Sequence, residues 1–122
     1  MFLLDNVLVY SARDLAAAAS CEFAVLCELD AVLGLARQTP AADDPMLERT
    51  ARLGSRHEQR ILADFRAEHE SCVVEIPRPE YTTGGLAEAA HATLSAVRDG
   101  APVVYQGAFF DGRLVGFCDF LV

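Results

Sequence analysis

The chain has little positive charge: its 122 residues include no lysine and no tryptophan, and ten arginines stand against 18 acids, for a formal net charge of -8. This balance disfavours a strongly basic nucleic-acid surface and membrane attachment through basic residues. No apolar run approaches the length of a membrane span. The apolar start is interrupted by Asp5 and Asn6 and has no basic residues before it, so no secretory signal is predicted.

The cysteines also exclude some classes of protein. Four cysteines are widely spaced without a Cys-x-x-Cys pair, and these are Cys21, Cys27, Cys72 and Cys118. Such spacing favours reduced thiols over a disulfide framework, so we expect a cytoplasmic protein. The sequence has no Gly-rich phosphate loop, no nucleotide fingerprint and no Ser-His-Asp order at catalytic spacing. Hydrophobic residues make up 52% of the chain, which predicts one globular domain over residues 1–122.

Two helix starts are clear in the first half of the chain. Ser11 and Asp14 form a capping box that opens a first helix, predicted to end near Leu33. Asp44 caps a second helix over residues 44–69, with Pro45 at its first position. Before these helices, residues 7–10 form a short strand or an extended lead-in, and residues 35–44 form a loop between them. The apolar spacing of the first helix predicts a buried face of Leu15, Ala19, Phe23, Leu26, Leu29 and Leu33.

The second half predicts a short strand over residues 72–76, a helix over 86–98, and two strands over 102–109 and 114–122. Asp111-Gly112 suits a two-residue hairpin turn between the last two strands. The predicted fold class is therefore α/β, a mixed sheet with an antiparallel hairpin flanked by helices. The buried face of the 86–98 helix is expected to consist of Leu86, Ala90, Leu94 and Val97.

Two polar residues interrupt apolar patterns. His57 shares a helical face with Gly54, Ile61 and Phe65, so an imidazole is predicted on the side that faces the core. The alternative is a core histidine with one hydrogen bond. Asp119 is the acid in an otherwise apolar or small strand, where burial would cost several kcal/mol without a partner or a metal. The alternative is an acid that reaches solvent or caps the next element.

A two-residue turn would place Val104 opposite Asp119 and Gln106 diagonal to it. Together, Gly-x-x-His-Glu on a helix, a later hairpin and Gly-Phe-Cys-Asp-Phe-Leu-Val at residues 116–122 resemble the RecB-like branch of the PD-(D/E)XK nucleases. Residues 9–15, Val-Tyr-Ser-Ala-Arg-Asp-Leu, are similar to the start of actinobacterial RecB-family nucleases. The likeness implies a restriction-endonuclease-like core and metal-dependent hydrolysis of DNA in repair or processing.

By that resemblance, His57 and Asp119 are catalytic residues that bind Mg²⁺ or Mn²⁺, and Gly54 and Gly116 are the motif glycines. Glu58 is a weaker candidate because it lies about 100° round the helix from His57. Cys21 falls where many such nucleases place the first cysteine of an iron–sulfur or zinc cluster. The alternative for Cys21 is an inert small hydrophobe.

The chain departs from the family after Asp119, because no Glu-x-Lys or Asp-x-Lys follows. We therefore expect either an N-terminal portion of a longer nuclease, incomplete at its C-terminus, or a degenerate homologue. Residues 1–122 alone should bind metal weakly and cleave nothing. The implied partners are DNA, a helicase region in a longer chain, and a second copy that pairs through an exposed strand edge. The competing function is a non-catalytic α/β module for protein interaction or DNA-end binding.

Overall fold

A computed structural model describes residues 1–37 and 43–122. Its strands are β1 (Phe2–Leu4), β2 (Val7–Ser11), β3 (Val73–Glu75), β4 (Val103–Phe110) and β5 (Leu114–Leu121). Its helices are α1 (Ala12–Ser20), α2 (Glu22–Val32), α3 (Pro45–His69) and α4 (Thr83–Arg98), with a 3₁₀ turn at Glu70–Cys72. The strands form one sheet in the order β1-β2-β5-β4-β3. The β1–β2 and β4–β5 pairs are antiparallel, and the β2–β5 and β3–β4 pairs are parallel. The predicted α/β class with a mixed sheet is confirmed.

The chain begins with a β-hairpin. The prediction of a short strand or an extended lead-in at residues 7–10 is confirmed in its first form by β2, whereas β1 was not predicted. Phe2 pairs with Val9 across the β1–β2 ladder. The turn residues Asp5 and Asn6 have φ values of 50° and 62°. Aspartate and asparagine tolerate this left-handed conformation, which a type I′ turn requires at both central positions. The Asp-Asn dipeptide was therefore a hairpin signal.

The predicted first helix is wrong in its continuity and in its buried face. Cys21 is extended, with φ -158° and ψ 100°, and separates α1 from α2. No residue of α2, which lies within the described residues 1–37, is buried, and Phe23 is 74% exposed. The apolar residues of α2 are distributed around the whole helix, so α2 has no single apolar face that could pack against a core. None of the described helices combines the length and apolar character needed to cross a bilayer.

Residues 38–42 of the predicted 35–44 loop lie outside the described residues.

The start of α1 is as predicted, because the Asp14 carboxylate returns to the cap. Asp14 Oδ2 accepts from the Ser11 N–H at 2.6 Å and from the Ser11 hydroxyl at 2.7 Å, and Oδ1 accepts from the N-terminal ammonium of Met1 at 2.7 Å. Burial raises the pKa of Asp14, but these donors outweigh burial and hold the pKa below its ordinary value.

The main core lies between α4 and β4. The buried residues of α4 are Leu86, Ala89, Ala90, Thr93 and Ala96. Leu94 and Val97, predicted on the buried face, are 45% and 51% exposed. The difference comes from Thr93, whose hydroxyl donates to the Ala89 carbonyl and accepts from the Ala108 N–H, both at 2.9 Å. These two bonds let a polar residue occupy the centre of the packed face, which an apolar pattern cannot indicate.

The β4–β5 turn differs from the predicted two-residue loop. Three residues, 111–113, separate the strands, and Phe110 pairs with Val115. Asp111 Oδ1 accepts from the N–H groups of Arg113 and Leu114 at 2.8 and 2.7 Å, which is the side-chain turn that aspartate favours. The longer turn shifts the register by two residues. Val104 consequently pairs with Leu121, not with Asp119.

Candidate functional site

Helix α3 reaches the sheet mainly with its C-terminal half. Asp44 Oδ1 accepts from the Met46 N–H at 2.9 Å, so the predicted cap is present. Leu62 is the buried residue of the helix. The Phe65 and Phe120 rings lie 5.3 Å apart, and Arg66 Nε donates to Glu75 at 2.8 Å. Residues 45–57, which form the N-terminal half of α3, are exposed.

The predicted core-facing position of His57 is therefore wrong. His57 and Gly54 are exposed, whereas Ile61 and Phe65, further along the same face, are half-buried. Asp119 is also exposed, contrary to the expectation of a strand buried on both faces. Its exposure agrees with the alternative in which the carboxylate reaches solvent. Because both side chains are exposed, neither loses the free energy that burial of an unpaired polar group would cost.

Both side chains nevertheless line the same cavity. A cavity of about 630 Å³ between α3 and the end of β5 has both His57 and Asp119 in its wall, with Glu58 beside them. The remaining wall residues are Ala51, Gly54, Ser55, Ile61 and Phe120. The site thus brings an imidazole and two carboxylates to one concave surface.

The sheet is irregular at Gln106, opposite Asp119. Gln106 has a φ of 57°, a left-handed conformation that a non-glycine residue adopts at some cost. The β4–β5 pairing passes from Tyr105–Phe120 to Gly107–Cys118, so Gln106 lies opposite Asp119 where no ladder pair forms. Tyr105 and Gln106 both contact α3 although they are neighbours in the chain. Side-chain alternation is therefore broken at this point, which turns two consecutive residues toward α3.

Glu58 is the centre of a hydrogen-bond network that joins α3 to β4. Its Oε1 accepts from the Tyr105 hydroxyl at 2.8 Å and from Gln106 Nε2. Gln59 Nε2 donates to the Tyr105 hydroxyl oxygen at 3.0 Å. Burial raises the pKa of Tyr105, and the Glu58 carboxylate raises it further by stabilising the neutral phenol. Sequence reasoning treated Glu58 as secondary and did not place Tyr105 at the site.

His57 has a neighbour that restricts its chemistry. Its Nδ1 lies 3.0 Å from Arg60 Nη2. A guanidinium has only donors, so Nδ1 is the acceptor in this pair. An imidazole that binds a metal through Nε2 carries its proton on Nδ1, where it would face the Arg60 N–H. Metal binding by His57 therefore requires Arg60 to move away, and its exposed position leaves room for that.

The donor set is compatible with a divalent cation in its chemistry, although it is spread out. Carboxylate oxygens suit Mg²⁺ and Mn²⁺, and imidazole is accepted by transition metals. Among residues 1–37 and 43–122, no three His, Cys, Asp or Glu side chains come together as a metal-binding group. The four cysteines are free, and Cys21 is exposed at the junction of α1 and α2.

Comparison of the chain with family models, with curated proteins and with solved structures found no match. An open cavity with an imidazole, two carboxylates and a nearby guanidinium can bind a cation or hold a phosphate beside one.

Proposed function

We propose that this chain carries part of a metal-dependent DNA nuclease site of the RecB-like type, on a restriction-endonuclease-like core. In this proposal His57 and Asp119 bind Mg²⁺ or Mn²⁺ next to a DNA phosphodiester. The observation that carries the proposal is the shared cavity, to which α3 contributes His57 and β5 contributes Asp119. Two residues selected for separate reasons in the sequence contribute to one wall.

Glu58 is the third group that the cavity offers to a cation. Both of its hydrogen-bond donors contact Oε1, so the other carboxylate oxygen is the one that a cation would use. A bound ion would polarise the phosphate and activate water for attack. The chain's own residues supply the ligands and a fixed orientation, because Tyr105 and Gln106 hold Glu58 against the sheet.

The proposal predicts weak metal binding by these 122 residues. Calorimetric titration with Mn²⁺ should give a weak signal that His57→Ala and Asp119→Ala each abolish. Arg60→Ala should tighten binding, since it frees Nδ1 of the imidazole. His91→Ala is the matched control, because His91 is an exposed histidine on α4. Unchanged Mn²⁺ affinity in both ligand variants would overturn the metal site.

Catalysis needs a separate assay. Incubation of these residues with linear DNA and Mn²⁺ should leave the DNA intact, because the Glu-x-Lys element is missing from the sequence. The complete gene product should cleave the DNA, and its His57→Ala and Asp119→Ala variants should not. Full activity in both variants would end the nuclease proposal. A helicase region in a longer chain and a cluster ligand at Cys21 remain predictions of the resemblance, and a cytoplasmic setting remains a prediction from the cysteine spacing.

A second candidate is a non-catalytic module, and the Glu58 network favours it. The hydrogen bonds to Tyr105 and Gln106 give Glu58 a structural role, which is to attach an otherwise exposed helix to the sheet. Glu58→Gln separates the two functions. In a structural module the variant loses stability and Mn²⁺ has no effect on either protein. In a metal site the variant also loses the stabilisation that Mn²⁺ gives the unmodified chain.

A further inference from the structure

A second cavity lies beside the cavity that His57 and Asp119 line, which is called the metal-site cavity below. It has a volume of about 270 Å³ and is lined by Arg78, Pro79, Tyr81, Gln106 and Phe117. Gln106 connects the two, since it lines this second cavity and donates to Glu58 in the wall of the first. A ligand that enters one cavity is therefore adjacent to the other.

The walls of the second cavity include two aromatic rings that remain open to solvent. Tyr81 is 52% exposed and Phe117 is 45% exposed, with their ring centroids 6.2 Å apart. The Phe2 ring supports Tyr81 from the side in an edge contact at 5.4 Å. Half-exposed rings held in place by a neighbouring ring offer a ready surface to a flat, apolar group.

The position of Phe117 relates this surface to the candidate ligands. Phe117 and Asp119 are two residues apart on β5, which corresponds to about 7 Å along a strand. That distance is within the reach between a base and a phosphate of one nucleotide or its neighbour. A base on the Phe117 ring would thus carry a backbone phosphate toward the metal-site cavity.

We propose that Tyr81 and Phe117 stack an unpaired nucleobase, so that the ligand of this surface is a single strand or a frayed end and not an intact duplex. A duplex keeps its base faces covered, whereas a single strand presents them to aromatic side chains. The stacking itself is independent of the metal. The consequence that the neighbouring phosphate is hydrolysed rests on the proposed function above.

The charge of the chain sharpens this proposal. With a net charge of -8, the protein gains little from attraction to a polyanion. Arg78 is the cation among the residues that line the cavity. Stacking is therefore the main attractive interaction, and affinity should depend weakly on salt. The slope of log affinity against log salt should be near -0.7, the value for about one phosphate contact on a single strand.

The test measures binding without metal. Fluorescence anisotropy in EDTA compares a labelled oligodeoxyuridine, the same length of oligouridine and a blunt duplex. The single strands should bind more tightly than the duplex, and the tighter of the two identifies the sugar. Tyr81→Ala and Phe117→Ala should weaken binding roughly 5- to 100-fold, as expected for loss of one stacked base.

Matched variants separate stacking from general damage. Tyr81→Phe should retain binding because it keeps the ring, and Phe23→Ala should leave binding unchanged because Phe23 is an exposed phenylalanine on α2. Arg78→Ala should flatten the salt slope. If Tyr81→Ala fails to fold, Phe117→Leu and photocrosslinking of a 5-iodouracil oligonucleotide replace it, and the crosslink should map to Tyr81 or Phe117.

Three results would overturn the stacking proposal: tighter binding of the duplex, unchanged affinity in both alanine variants, or no binding of any single strand by the unmodified chain. His57→Ala should bind the oligonucleotide normally in EDTA. Loss of Mn²⁺ binding in His57→Ala with intact stacking would support both proposals. Intact stacking without any role for His57 in Mn²⁺ binding would retain the stacking surface and remove the nuclease assignment.

Discussion

Helix α4 and helix α2 are both rich in apolar residues, yet they differ in burial. Five residues of α4 are buried against the sheet, whereas α2, described over its full length, has none and leaves Phe23 and Leu26 at 74% and 57% exposure. The same residue types therefore stabilise one part of the molecule far more than the other. What decides the difference is the partner surface, since α4 packs along β4 and α2 contacts mainly α1.

The candidate site lies on the boundary between these two kinds of packing. Asp119 belongs to β5, which pairs with β4. Strands β4 and β5 and helix α4 form the well-packed part of the molecule. His57 belongs to α3, which has Leu62 as its buried residue and exposes Met46 and Leu47 at 69% each. The relative position of His57 and Asp119 thus depends on a few contacts, chiefly those of Glu58 and Phe65 with β4 and β5.

The largest effect should come from the core of the well-packed part. Leu86→Ala removes a side chain with 0% exposure, and we expect a loss of about 2–5 kcal/mol in the free energy of unfolding. Leu26→Ala is the matched control on α2, with an expected change within about 0.5 kcal/mol. Urea denaturation followed by circular dichroism measures both. Equal losses would mean that α2 is packed as tightly as α4.

A smaller effect is expected at Thr93, which compares the same side-chain contact in two environments. Thr93 and Thr50 each donate to a carbonyl four residues earlier, at 2.9 Å, but Thr93 is buried and also accepts from the Ala108 N–H. Thr93→Val leaves that N–H without a partner, and we expect a loss of about 1–3 kcal/mol. Thr50→Val should change stability within about 0.5 kcal/mol. A loss at Thr50 that matches the loss at Thr93 would contradict this reasoning.

These residues also show which features a sequence can predict. The caps at Asp44 and Asp14 depend on residues within three positions, so local patterns identified them. The break at Cys21 and the buried Thr93 depend on contacts or backbone angles that no periodicity encodes. The hairpin register failed because the Asp111 side chain stabilises a three-residue turn where Asp-Gly indicates a two-residue one.

The candidate site likewise has residues that the sequence pattern predicts and residues that it does not. Periodicity selected His57 and Asp119 as unusual, and the structure places both in one cavity wall, but it exposes them where burial was expected. Tyr105 could not be found, because its bond to Glu58 joins residues far apart in the chain. Gln106 did offer a signal, as a polar residue within an apolar strand. Its left-handed backbone, which turns it toward α3, had no signal at all.

The N-terminal part of the molecule should respond to acid through Asp14. The folded pKa of this carboxylate is lowered below its ordinary value of 3.8, so its ionised form stabilises the fold above that pH. The stabilisation is lost as pH falls below 3.8 and through the folded pKa. Asp14→Asn should be less stable than the unmodified chain at neutral pH, and the gap should shrink below 3.8. Urea midpoints over this range measure the gap, and a constant gap would contradict the linkage.

The smallest effect concerns the contact that attaches α3 to the well-packed part. Glu58→Gln removes the carboxylate that helps raise the pKa of Tyr105, so that pKa should move toward its ordinary value of 10.0 while the contribution of burial remains. Tyrosinate absorbance during alkaline titration measures the shift, and Tyr105→Phe identifies which transition belongs to this residue. Glu48→Gln, at an exposed position on the same helix, should leave the transition unchanged. Tyr105→Phe should cost about 1 kcal/mol, the usual net value of one hydrogen bond. An unchanged pKa in Glu58→Gln would mean that α3 does not hold Glu58 against β4 in solution, and His57 would then lack a fixed position relative to Asp119.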